Sequence, residues 1–162
     1  MQPLTPADVQ AALDKVTPGV QIQFYDTPTA TAQQAADNVG CELGQIVKSL
    51  AFFADGQPVL VLVSGDRRVD ERKLAAFLDI ARKRIKMPDP QQCIEIYGYR
   101  PGAVPPLGLR TSGLPVYIDD SLQRYQTVYV SGGAPNALVP IALPELAQAI
   151  DGHFADVKRE ED

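Results

Sequence analysis

Histidine is almost missing from this chain. The one histidine, His153, stands near the C-terminus of 162 residues, so a Ser-His-Asp or Cys-His arrangement would have to recruit its base from the tail. Cysteine is nearly as scarce. Cys41 and Cys93 are far apart and in no metal-type spacing, which points to reduced thiols in a cytoplasmic protein and leaves a zinc hydrolase short of ligands. There is no G-x-x-x-x-G-K-[ST] phosphate loop and no G-x-G-x-x-G after a strand. No apolar run approaches the roughly 20 residues of a membrane span. The start, "MQPLTPADVQ", has neither the basic nor the apolar region of a signal peptide. An enzyme built on this chain has to work without a strong side-chain base, a metal or a cofactor.

What is present describes an ordinary globular domain. Hydrophobic residues make up 45% and charged residues 22% of the chain, and the length suffices for one proper core. With no linker or internal repeat, the expectation is a single domain over 1–162, with "DVKREED" (156–162) a disordered tail. The formal net charge of -5 argues against a general nucleic-acid coat, though local charge placement decides what a surface binds.

Along the chain, "LTPADVQAALDKV" predicts a helix with Thr5 as N-cap and Pro6 in the first turn. "VQIQF" (Val20 to Phe24) alternates like a strand, and "TATAQQAADNVG" reads as a short helix stopped by Gly40. "IVKSLAFF" and "PVLVLVSG" form a hairpin with Asp55-Gly56 in the turn, and "VLVLV", apolar on both faces, should be a central covered strand. "VDERKLAAFLDI" is a helix capped by Asp70 that buries Leu74, Phe77 and Leu78; "KRIKM" is a short strand; "DPQQCIEIYG" is a helix capped by Asp89. "LPVYIDDSL", "TVYVSGG" and "ALVPIAL" are further strands, and Pro144 opens a last helix. Hairpins mixed with helices imply an α/β fold with a mixed, curled, barrel-like sheet surrounded by helices.

Three stretches carry candidate chemistry. Lys48 shares a strand face with Ile46, Leu50 and Phe52. It either snorkels to solvent or lines a cleft, where a partly desolvated ammonium holds an anion or polarises a carbonyl; small Gly44 and Ser49 nearby leave room for the second. The span Arg67 to Lys86 carries eight of the 15 basic residues, among them Arg67, Arg68, Arg72, Arg82, Lys83 and Arg84. It is either a solvated face or a phosphate-contact surface without base specificity. The loop Gly102-Ala103-Val104-Pro105-Pro106 is either a surface turn or a rigid support whose backbone N–H groups meet a developing oxyanion. Ser131-Gly132-Gly133, following a strand, is a weaker case of the same kind.

"GCELGQIVKSLAFF", "PVLVLVSGDRRVDERKLA", "YGYRPGAVPPLG", "VYIDDSL" and "VYVSGG" stand in an order and at a spacing that resembles the YbaK family of free-standing aminoacyl-tRNA deacylases. These are homologues of the editing domain of bacterial prolyl-tRNA synthetase. The likeness covers roughly 20–150. It implies the YbaK editing-domain fold and hydrolysis, without a metal, of the ester joining a wrong amino acid to tRNA, typically tRNA for proline. It implies Lys48 as the essential lysine, "GAVPP" as the G-x-x-x-P loop against the tRNA 3′ end, and Ser131 to Gly133 as the other pocket loop. It implies aminoacyl-tRNA as partner, prolyl-tRNA synthetase as a further one, and the cytoplasm as location. Some members carry a histidine or aspartate after the last pocket strand; "GGAPNALVP" has neither. The amino acid removed therefore stays open among small side chains such as alanine, cysteine, serine and 2-aminobutyrate. The other reading of the same pocket is a non-catalytic module binding tRNA or a synthetase. No recognisable DNA-reading motif is present.

Overall fold

Asp55 and Gly56 take left-handed backbone angles, φ 50° and 82°, and so close a two-residue hairpin turn whose twist matches its flanking strands. In the computed structural model, which describes residues 1–29 and 31–160, this hairpin joins β2 (Val47–Ala54) to β3 (Gln57–Ser64) in full register from Val47↔Ser64 to Ala54↔Gln57. β3 is central, as its two apolar faces require. The five-stranded sheet runs β4-β2-β3-β5-β8, with β4 (Ile85–Lys86), β5 (Val116–Asp119) and β8 (His153–Ala155). β2 pairs antiparallel with β3 and β4, whereas β3–β5 and β5–β8 are parallel. A second, antiparallel sheet has the order β1-β7-β6, from β1 (Gln23–Phe24), β6 (Thr127–Ser131) and β7 (Ala137–Ala142).

Both faces of the larger sheet are covered. Val47, Ala51, Leu60, Leu62 and Ile118 pack into the main core with α1 (Pro6–Val16), α4 (Pro90–Ile96), α5 (Leu143–Ala149) and the smaller sheet. Phe52, Val59, Val61 and Val63 pack on the other side with α3 (Glu71–Phe77). α2 (Ala32–Val39) sets Ala35 and Ala36 against Ile46 and Leu138. The Tyr97 hydroxyl, just past α4, lies 2.9 Å from Phe52 O and 2.8 Å from Val59 O. That contact ties the helix to both arms of the hairpin.

Caps form where their residue types predict. Thr5 N donates to the Asp8 carboxylate over 2.8 Å, the Asp70 carboxylate accepts from Arg72 N, and Asp89 accepts from Gln92 N. Each satisfies N–H groups that a first helical turn leaves open.

Several expectations are corrected. The sheets do not close into a barrel: among the described residues, one bridge, Ile46↔Tyr129, joins them outside the named strands. β4 has two residues and β2 pairs with it only at Phe53 and Ala54, so closure would need pairing that so short an edge lacks. The strand expected from Val20 reduces to Gln23–Phe24, with Phe24 exposed. Phe77 is 49% exposed rather than buried, edge-on to Tyr117 at 5.6 Å between ring centres, because α3 ends there after seven residues. Within the segment expected to be a tail, Val157 is fully buried, its N–H donates to Asp119 and its carbonyl accepts from Asp70 N, while Arg159 and Glu160 are exposed. The last part of that expected tail, 161–162, lies outside the described residues. Among those residues no helix is long and apolar enough to cross a membrane.

Candidate functional site

β2 runs between two partners and leaves a gap. Among the described residues, the chain just before it bridges to β6 at Ile46↔Tyr129, and β2 itself pairs with β4 from Phe53 onward. Between those points its outer edge is unpaired, and a recess of about 270 Å³ opens there. Because side chains alternate across a strand, Lys48 and Ser49 reach the recess from opposite sides of the same edge. Gly102 and Val104 wall it from the proline-rich loop, Ser131 from the end of β6, and Ala35 of α2 with Leu138 of β7 from the far side.

The lysine is held in place. Its Nζ, part-buried, donates to the carbonyl of Arg67. An ammonium has three donors, so two N–H bonds remain for an occupant. Burial pushes the Lys48 ammonium below its usual pKa, the nearby Arg68 adds to this, and Asp66 opposes it. The group is a partly desolvated cation, which interacts more strongly with an anion or a carbonyl dipole than one in water does. The Arg67 carbonyl is positioned in turn by paired neighbours. Arg67 and Arg124 bind Asp66 at 3.0 and 2.8 Å, and the Arg124 hydrogen bond is the main cause holding the Asp66 carboxyl below its ordinary pKa. Lys158 bridges to Val69, and Arg159 N donates to Arg68 O over 2.8 Å.

The two loops of interest are tied together. Ser131 Oγ donates to Ala103 O over 3.0 Å and accepts from Gly133 N over 3.1 Å. A second hollow, of about 420 Å³, lies on the other side of this seam and takes Ala103 and Gly133 into its wall beside Leu4, Tyr99 and Arg100.

The structure thus brings Lys48, Gly102, Val104 and Ser131 to one recess, with Ala103 and Gly133 at its neighbour. Pro105 and Pro106 are buried behind the loop, where their fixed φ supports it without facing the recess. Gly132 is buried too; a Cβ there would stand 2.8 Å from Ala137 Cβ and 2.9 Å from Ile22 Cγ2. Gly44 does not provide room for a ligand as its size suggests: a Cβ would stand 2.3 Å from the Tyr125 hydroxyl and 2.8 Å from Arg124. Its carbonyl accepts from Ser64 Oγ over 2.6 Å.

The basic span divides. Arg67 and Arg68 stand beside Lys48, which bonds the Arg67 carbonyl and feels the Arg68 charge, though neither lines the recess, whereas Arg72 lies on α3 and Arg82, Lys83 and Arg84 form a single 3₁₀ turn before β4. Acids answer part of that distal charge, Arg82 pairing with Glu71 at 3.2 Å and Arg84 with Asp55 at 3.7 Å. The Asp66–Arg124 pair and the α2 wall were not legible in the sequence as parts of the site, since no local pattern joins Arg124 or α2 to Lys48.

Neither cysteine behaves as a reactive thiolate, because burial raises both thiols. Three carboxylates that could hold a cation, Asp119, Asp120 and Asp156, lie within 4.8 Å of one another. Internal partners already engage them. Asp119 accepts from Ser121 N and Val157 N, and Lys158 binds Asp120 at 2.6 Å and Asp156 at 3.1 Å.

Residues 26–149 match the family model of the aminoacyl-tRNA editing domain. The chain belongs to that family. A relative, the uncharacterized protein YwhH of Bacillus subtilis, is 34% identical over 125 residues, covering 76% of this chain and 77% of its own. The proline–tRNA ligase of Limosilactobacillus fermentum is 32% identical over 129 residues, 72% of this chain but 22% of the ligase. The matched segment is thus most of this sequence and a small part of the ligase. Among solved structures, a protein provisionally assigned as a trans-editing enzyme for prolyl tRNA synthetase superposes with a TM-score of 0.89 at 35% identity, over 96% of this chain and 97% of that one. The hypothetical protein APE2540 follows at 0.84 and 25%, over 94% and 99%. The architecture expected from the resemblance, a single-domain α/β editing fold, is therefore observed, with two sheets in place of a closed barrel.

Proposed function

We propose that this editing domain hydrolyses the ester of mischarged aminoacyl-tRNA in the cytoplasm, removing a small amino acid wrongly attached to tRNA for proline. The observation that carries the reading is the convergence of Lys48, Gly102, Val104 and Ser131 on one recess along an unpaired strand edge. Its volume, about 270 Å³, has room for an aminoacyl group and part of a ribose.

An aminoacyl ester is already activated, so positioning and electrostatic help suffice and no metal is required. Water adds to the ester carbonyl carbon and the carbonyl oxygen becomes an oxyanion. The bond to the ribose oxygen then breaks, and that oxygen takes a proton to leave free tRNA and the amino acid. The substrate's own neighbouring ribose hydroxyl assists the water. Lys48 stays protonated and meets either the oxyanion or the terminal phosphate with the two N–H bonds that Arg67 does not use. Arg67 and Arg68 lie where the acceptor end would approach, and prolyl-tRNA synthetase is the partner from which mischarged tRNA would come.

The test is a deacylation panel: tRNA for proline charged with alanine, serine, cysteine or 2-aminobutyrate, with proline as the control. The expected result is turnover of one or more of the first four and a loss of about 100-fold or more in Lys48→Ala, the scale of removing one preorganised donor. Wild-type turnover by Lys48→Ala would overturn the site; binding without turnover would overturn the enzyme.

A further inference from the structure

Two buried side-chain oxygens among the described residues lack a hydrogen-bond partner, Ser49 Oγ and Ser121 Oγ, and of these Ser49 lines the recess. The other polar side chains there are engaged. Thr29 donates to Pro135 O, Thr31 accepts from Gln34 N, Lys48 donates to Arg67 O, and Ser131 bridges Ala103 and Gly133. A buried hydroxyl left unsatisfied bears its desolvation penalty uncompensated, and such a group calls for a functional account. Ser49 also lines a small adjoining hollow of about 50 Å³, which shares Leu50, Gly102 and Val104 with the recess and is walled further by Ala51, Met87, Cys93 and Pro101. Those walls are apolar apart from Ser49, so they would penalise a charged ammonium. The space exceeds the roughly 30 Å³ share of one water and fits one or two heavy atoms.

Resting on the deacylase reading, we infer that Ser49 is a specificity-determining residue: its hydroxyl bonds the side-chain hydroxyl or thiol of the aminoacyl group, so the site favours seryl or cysteinyl esters over alanyl ones. Lys48 and Ser49 flank the same strand edge, so an ester held at the lysine directs its Cβ substituent past that edge to Ser49. A site with a polar group waiting for the substrate's own discriminates strongly against analogues that lack it, whereas an apolar pocket gains little from one extra methylene.

The experiment compares kcat/KM for seryl-, cysteinyl-, alanyl- and 2-aminobutyryl-tRNA in the wild type, Ser49→Ala and Ser49→Thr. The 2-aminobutyryl group nearly matches serine and cysteine in size without the polar atom. The expected result is a wild-type preference for seryl or cysteinyl over 2-aminobutyryl esters, with that ratio falling about tenfold or more in Ser49→Ala and largely retained in Ser49→Thr. An unchanged ratio, including an equal loss on all four esters, would overturn the assignment while leaving the deacylase standing. A wild type inert on every ester would overturn both.

Discussion

Lys48 exists at a cost. Burial and Arg68 disfavour its charged form, so its folded-state pKa lies below the unfolded one and the ammonium destabilises the fold wherever it is protonated. That penalty is full below the lowered pKa and disappears as pH rises from there to the ordinary value of 10.5. Lys48→Met is therefore expected to raise the melting temperature at pH 7 while deacylation is lost, with the gain shrinking towards pH 10.5; scanning calorimetry across that range checks it. Asp66 has the opposite sign. Its carboxyl is held below the ordinary 3.8, first by the Arg124 hydrogen bond, so its contribution is present above 3.8 and lost as pH falls through the lowered value. Asp66→Asn should lower the urea midpoint at pH 7 and make its decline below pH 4 shallower. The sequence marks Lys48 as an anomaly in an apolar row. It does not mark Asp66 or Arg124, whose partnership depends on residues 58 positions apart meeting.

Hairpins and capped helices follow from local chemistry, and so they were legible. Asp55-Gly56 between two apolar runs dictates a turn, and Thr5, Asp70 and Asp89 dictate helix starts. Gly56 sits at φ 82°, so Gly56→Ala should cost about 1–2 kcal/mol, read as a drop in denaturant midpoint without a change in slope. What local chemistry did not reveal is β8. Its three residues, His153–Ala155, carry little pattern and become a strand because β5 offers a free parallel edge. Phe77 fails in the reverse direction: helical spacing nominates it for the core, but the helix stops before its ring can turn inward.

Across the whole molecule, the C-terminal segment supports the site. Val157 fills the core under α3, and Lys158 and Arg159 pair with the Val69 and Arg68 backbone, next to the Arg67 carbonyl that holds Lys48. Truncation after Ala155 is expected to lower the melting temperature by several degrees, about 2–4 °C per kcal/mol at this size, and to slow deacylation. Equal stability and activity in the truncated chain would dismiss that support. Reversing Arg82 and Arg84 to glutamate should weaken tRNA affinity and flatten its dependence on salt; an unchanged slope would remove that turn from the interface.

By itself the sequence determined the helices, the hairpin and its turn, and which short stretches carry the family's pattern, because those depend on neighbours a few residues apart. Only the tertiary structure decided where the pocket lies. A strand edge left unpaired between two sheets is set by how far β4 and β6 reach along β2, a packing outcome of long-range contacts that no local period encodes.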